Sequence, residues 1–294
     1  MNGWRTVRVP ASSANLGPGF DGLALAVGIY LECRFRRSPE LVLRAAGRDA
    51  ELISTGEDNL IWQTAMHSGL REPVELDIAN DIPIGKGLGS SAAAVTAGVL
   101  IASEMGDCGW DPSRVLDETA RMEGHPDNVA ACALGGVIAS AVDSRGRARA
   151  VRVKMHPDFR VSVVVPDFRL PTRESRRVLP DFYSREDAIF NVQHASLLVA
   201  ALTAGDRSAF PAALEDRMHQ PYRYPLVRGL EQMTRLRAPG LLGCALSGAG
   251  PSVLVFHERG GEHVCRRCVE IFAEQGHSAE VFCGEIPESG YQIG

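Results

Sequence analysis

Pro83-Ile84-Gly85-Lys86-Gly87-Leu88-Gly89-Ser90-Ser91-Ala92-Ala93 stands between two stretches of opposite periodicity. Before it, Val74, Leu76 and Ile78 alternate with Glu75, Asp77 and Ala79, the period-two pattern of a half-buried strand. After it, residues 90–104 are rich in alanine and valine and read as a helix. Three glycines in five residues let the backbone turn tightly and approach a ligand without side-chain obstruction. The first amides of the following helix, with the positive end of its dipole, favour phosphate oxygens. Ser90 and Ser91 add hydroxyls, one to cap the helix and the other to ligate Mg²⁺ bridging nucleotide phosphates. The spacing is not that of a Walker A loop, which needs glycine at 80 and serine or threonine at 87, where the chain has Asn80 and Gly87. Nor is it a dinucleotide fingerprint, because Gly85, Gly87 and Gly89 alternate. Taken alone, the loop reads as a phosphate cradle or as a flexible strand-to-helix connection.

Outward from the loop, strands are expected over residues 6–10, 23–33 and 40–45, and a helix opens at Asp58-Asn59. Asp111-Pro112 caps another helix that runs to Met122. A hairpin of residues 137–142 and 148–154 turns at 143–146. Past His156-Pro157 the pattern restarts with a strand at 160–165, which sets a domain boundary there, 1–156 and 157–294. The second half reads as an α+β layer with helices at 184–203, 206–218, 225–236 and 262–274 and strands at 241–246, 252–256 and 279–283.

The 294 residues carry 31 basic and 36 acidic side chains, a net charge of −5 that argues against a nucleic-acid binder. Hydrophobic residues at 45% and charged residues at 23% suit a soluble globular chain. No run approaches the ~18 apolar residues of a membrane span, and Asn15, Pro18 and Asp21 interrupt any signal-peptide core, so a cytoplasmic protein is expected. Seven dispersed cysteines read as reduced thiols. Cys265-Arg-Arg-Cys268 has the gap of half a zinc site, but no second pair follows and the intervening arginines suit a solvated helix face, which argues against metal binding. Only Lys86 and Lys154 among the 31 basic residues are lysines, and Lys86 lies inside the glycine loop, where its ammonium is expected to be used.

Two further segments join the loop: Pro10-Ala-Ser-Ser-Ala-Asn-Leu-Gly-Pro-Gly-Phe-Asp21 near the start and Leu246-Ser-Gly-Ala-Gly-Pro-Ser252 near the end. Together with Gly87-Leu-Gly-Ser-Ser91 they resemble the three motifs of the GHMP small-molecule kinases, over residues 7–283. Glu123-Gly-His-Pro-Asp-Asn128, residues 172–180 and His219-Gln-Pro-Tyr-Arg223 make the branch that phosphorylates homoserine the most similar. The resemblance implies an α+β, two-domain GHMP kinase fold: an N-terminal domain like domain 2 of ribosomal protein S5, which binds ATP, and a ferredoxin-like C-terminal domain. It also implies transfer of the γ-phosphoryl of ATP, with Mg²⁺, to the side-chain hydroxyl of L-homoserine. Homodimerisation is common in the family, and nothing in the sequence places an interface.

By the same resemblance Asn15 and Asp21 lie at the acceptor, although Asp21 alone reads as a turn residue. Arg176 and Arg223 match the arginines around the substrate carboxylate and phosphates, a task suited to planar bidentate donors, and Thr172 lies near the substrate. Glu123 is implied to hold Mg²⁺ with Ser91. His125 and Asn128 fall at the substrate, and Asn59 and Lys86 near the adenosine, with Trp62 as a packing neighbour. Residues 83–93, with Gly248 and Gly250, form the implied nucleotide site. Asn128 stands where another branch of the family has an aspartate base. An amide accepts no proton at neutral pH, so Asn128 is expected to orient the hydroxyl while Asp21 assists and the proton leaves to phosphate or water. The rival readings are a family kinase acting on mevalonate, shikimate or a sugar, for which Arg176 and Arg223 discriminate because a neutral sugar offers no carboxylate to clamp, and a nucleotide sensor without transfer, against which Ser91 and Glu123 argue.

Overall fold

The computed structural model describes residues 3–106 and 108–294. In chain order the first part comprises β1 (Arg5–Ala14), β2 (Leu23–Arg37), β3 (Val42–Gly47), α1 (Leu60–His67), β4 (Val74–Asn80), α2 (Ser90–Met105), α3 (Pro112–Glu123), α4 (Asp127–Leu134), β5 (Val137–Val142) and β6 (Ala148–Val153). The second comprises β7 (Phe159–Pro166), α5 (Thr172–Arg177), α6 (Arg185–Ala204), α7 (Gln220–Arg223), α8 (Leu230–Thr234), β8 (Leu241–Leu246), β9 (Val253–Glu258), α9 (Cys265–Glu274), β10 (Ala279–Cys283) and β11 (Gln292–Ile293). No helix among the described residues is long and apolar enough to cross a membrane.

Alternation works as expected in β4, where Val74, Leu76 and Ile78 are buried. The unusual element is β2, whose 15 residues serve several partners: all of β1, β5 along Leu23–Leu25 and β4 along Leu31–Arg37. The β1 register slips between Pro10 and Ala11, where proline has no amide to give the ladder. Beyond the slip β1 continues to Ala14 and so carries the Ser12-Ser13 segment into the interior. The second sheet has the order β10-β7-β9-β8, antiparallel throughout. Renumbered within that unit this is 4-1-3-2, with helices after its first and third strands, the ferredoxin-like arrangement.

Two boundaries differ from expectation. Strand β11 pairs with β1 in the first sheet, and the Gly136 amide donates to the Pro287 carbonyl, so residues 284–294 return to the N-terminal part. The division at 156 is a change of sheet rather than a break in the core, because one hydrophobic cluster holds Leu25 and Phe35 of β2 with Val161 and Val163 of β7 and Phe256 of β9. Nor is 206–218 a helix: it contains only two single-turn 3₁₀ segments, Arg207–Ala209 and Ala212–Leu214. Pro211 between them offers no amide to a helical ladder. The expected helix 225–236 shrinks to α8, and the turn α7 precedes it, stopped ahead of Pro225.

Candidate active site

A cleft of about 590 Å³ opens between the two sheets, lined from the first by Ala14, Asn15, Phe20, Asp21, residues 83–85 and 87–92, Glu123 and Asn128, and from the second by Thr172, Arg176, Arg223, Gly248 and Ala249. One wall is backbone. The glycine loop is locked from behind: the Ser247 hydroxyl donates to the Gly87 carbonyl (2.7 Å), the Ser252 amide to Lys86 O (3.2 Å), the Leu170 amide to Gly85 O (2.9 Å) and the Ser12 amide to Leu88 O (3.1 Å). Contact is so close at Gly87, with φ +77°, that a Cβ there would stand 2.2 Å from the Ser247 carbonyl oxygen. At Gly89 a Cβ would stand 2.0 Å from Ser12 Oγ. Only glycine fits either position.

Gly89 occupies the cap position of α2, and no side chain caps this helix, contrary to the expectation that a serine would. Its leading amides therefore face the cleft without an internal acceptor. The Ser91 hydroxyl instead donates to Glu123 Oε1 (2.6 Å) at the end of α3. One hydroxyl and one carboxylate together are hard oxygen donors of the kind Mg²⁺ takes, so the pair fits the cation. His125 follows, with Nδ1 2.9 Å from Asp127 Oδ1 and Nε2 3.8 Å from Glu123 Oε2. The Asp127 hydrogen bond holds the His125 pKa above its ordinary value, against the effect of burial. Asn128 lies in the first turn of α4, its Oδ1 accepting from Ser12 Oγ at 2.9 Å.

The opposite wall is side chain. Arg176, from α5, makes a bidentate pair with Asp21, Nη2 to Oδ1 at 2.9 Å and Nη1 to Oδ2 at 3.2 Å. Asp21 sits in a left-handed turn at φ 53° that Asn15 shapes: Asn15 Oδ1 accepts from the Asp21 amide (3.0 Å) and Nδ2 donates to Gly248 O (2.9 Å). Arg223 is only 1% exposed. It donates through Nε to Ser175 O (3.2 Å) and through Nη1 to Gly248 O (3.2 Å) and His219 Nδ1 (3.0 Å). Burial, and then Arg176, bring its pKa down to about 10, which still leaves it charged at neutral pH. The Phe20 ring lies 5.7 Å from the Arg176 guanidinium carbon and 5.6 Å from that of Arg223, within cation–π range of both.

The cleft thus gathers Asn15, Asp21, Asn59, Pro83 to Gly85, Gly87 to Ala92, Glu123, His125, Asn128, Thr172, Arg176, Arg223 and Gly248. Four expectations need correction. The Lys86 ammonium points out of the cleft and donates to the carbonyls of Pro166 and Phe168, both at 2.7 Å, fastening the loop to the end of β7. Its backbone, not its charge, belongs to the loop. Ala93 faces the core and Gly250 packs against Leu246 and Val227 behind Gly87, so neither lines the cleft. Trp62 packs on the core instead of lining the cleft. The polar atoms of Asn59 are committed as well: Oδ1 accepts from the Ile61 and Trp62 amides at 3.0 and 3.1 Å to cap α1, and Nδ2 donates to Ser54 O at 2.6 Å.

Sequence reasoning missed Ser12, Phe20, Ser175, His219 and Asp216. Ser12, Phe20, Ser175 and His219 lie inside the segments that carry the resemblance and could have been weighed there. Asp216 lay in a stretch read as helix, where nothing marked it.

The family model for the GHMP kinases N terminal domain matches residues 59–136. A homoserine kinase of Solibacter usitatus is 60% identical over 99% of this chain and 98% of its own length. A homoserine kinase of Synechococcus is 39% identical over 98% of this chain and 97% of its own. The crystal structure of a homoserine kinase from Cytophaga hutchinsonii superposes with a TM-score of 0.87 over 100% of this chain and 98% of that one, at 24% identity, and so bears on the fold alone.

Proposed function

The chain belongs to the homoserine kinases of the GHMP family, and from that premise we propose that it transfers the γ-phosphoryl of ATP to the side-chain hydroxyl of L-homoserine, as a cytoplasmic step of threonine biosynthesis. One observation carries the reading: uncapped amides and the Ser91–Glu123 pair face Arg176, Asp21 and Arg223 across a single cleft. The product is a phosphate ester and ADP; the hydroxyl oxygen bonds to phosphorus as the anhydride P–O bond breaks.

Phosphoryl transfer asks little covalent help of a protein and depends on positioning and on neutralising charge. The amides at the start of α2 donate to the phosphate oxygens. Ser91 Oγ and the Glu123 carboxylate would hold Mg²⁺, which neutralises the charge on the nucleotide phosphates. Arg223 and Arg176 take the carboxylate of the amino acid, and Asp21, released in part from Arg176, pairs with its ammonium. Thr172 and His125 complete the acceptor wall. Asn128, held by Ser12 and by Asp127 Oδ1 on its own amide (2.7 Å), orients the hydroxyl, whose proton passes to phosphate or water.

The test is ADP release with ATP, Mg²⁺ and each of homoserine, serine, threonine, mevalonate, shikimate and galactose. Homoserine is expected to exceed the others in kcat/KM by about 100-fold or more. Equal or absent activity across the panel would overturn the assignment.

A further inference from the structure

Arg223 is a buried cation that no carboxylate among the described residues reaches at salt-bridge distance. Its acceptors are two carbonyls, of Ser175 and Gly248, and one side-chain atom, His219 Nδ1. A ring nitrogen accepts only when it carries no proton. The other nitrogen, Nε2, lies 2.7 Å from the Gly17 carbonyl oxygen, which can only accept, so the proton sits on Nε2 and the Nδ1 lone pair faces Arg223. His219 is 0% exposed and stacks on Phe20 with 5.3 Å between ring centroids and 22° between planes. Its turn is fixed by Asp216. The Asp216 carboxylate accepts from the backbone amides of Met218 (2.9 Å), His219 (3.0 Å) and Gln220 (2.6 Å) and from Asn191 Nδ2 (2.8 Å). The charged groups facing the imidazole are Asp216, 3.6 Å from Nε2, and Arg223, with Asp21 farther away. Burial, the largest influence, lowers the proton affinity of His219, in keeping with a neutral ring.

We propose that His219 is a positioning residue for Arg223: locked as the Nε2–H tautomer by Gly17 and set in its turn by Asp216, it aims the guanidinium into the cleft and so governs homoserine affinity without touching homoserine. This rests on the reading of Arg223 as an acceptor-site arginine. Asn191 and Asp216 act one step further back, and Gly17 ties the whole to the segment that carries Asp21.

Two variants separate aiming from folding. His219→Asn keeps an acceptor near the place of Nδ1, whereas His219→Gln keeps a polar group near Nε2 and loses that acceptor. His219→Gln is expected to raise the KM for homoserine about tenfold or more with the KM for ATP within about twofold, and His219→Asn to stay within about threefold of the native enzyme on both. Equal homoserine KM values for the two variants, or the reverse order, would overturn the proposal. The ¹⁵N shifts of His219 in the native protein supply a reading independent of activity. The neutral Nε2–H form is expected from pH 8 down to pH 6; an Nδ1–H tautomer or an imidazolium in that range would overturn the proposal. Native protein that shows this tautomer but makes no ADP with homoserine would count against the substrate assignment, not against the aiming of Arg223.

Discussion

On one wall of the cleft, residues 83–92 offer backbone amides held by hydrogen bonds from Ser12, Leu170, Ser247 and Ser252. On the other, Asp21, Arg176 and Arg223 offer charged side chains held by Asn15, Phe20 and His219. The first wall is contiguous in sequence and tolerates no added atom at Gly87 or Gly89. The second draws on positions up to about 200 residues apart and depends on which way each side chain turns. A phosphate chain is recognised the same way in every nucleotide, so rigid backbone suffices; a small zwitterion has to be matched in both charge and shape.

Substitution on the backbone wall should be the more damaging. Gly87→Val places a branched side chain where a single Cβ already meets the Ser247 carbonyl, in a left-handed conformation. The loss of stability should exceed about 3 kcal/mol, measurable by denaturant unfolding, with no residual turnover; near-native stability would refute the locked loop. Glu123→Gln, at the junction of the walls, should lower kcat by about 10²-fold or more and raise the Mg²⁺ concentration needed for half-maximal rate, while the fold persists. An unchanged Mg²⁺ dependence would remove Glu123 from the metal. Least affected in activity is Lys86→Met. Because the ammonium serves the Pro166 and Phe168 carbonyls, the KM for ATP should stay within about threefold, while stability falls by about 2 kcal/mol. A large rise in the KM for ATP with unchanged stability would return the lysine to the nucleotide.

That contrast also explains what the sequence makes legible. Gly85 to Ser91 announce themselves because the strand before, the helix after and the glycine spacing are all local. The hairpin of β5 and β6 and the helices capped by Asn59, Asp111 and Ser184 are local in the same way, and the structure has them. Asp21, Thr172, Arg176 and Arg223 are visible only through family resemblance, since nothing near any of them in sequence brings it to the others. Lys86 misleads because residue type and position do not give direction: its backbone belongs to the loop and its side chain to the end of β7. Asp216 is hidden in a stretch where Phe210, Leu214 and Met218 have helical spacing but Pro211 keeps a helix from forming. The return of residues 284–294 to the first sheet is a contact across the whole chain, which no local pattern records.

The division of labour between the walls is tested most directly by the two Michaelis constants of Arg176→Lys, which keeps the charge and loses the bidentate fork. The KM for homoserine should rise about 10- to 100-fold while the KM for ATP stays within about threefold. A parallel rise in both constants, or a rise in that for ATP alone, would contradict the assignment of homoserine to the side-chain wall.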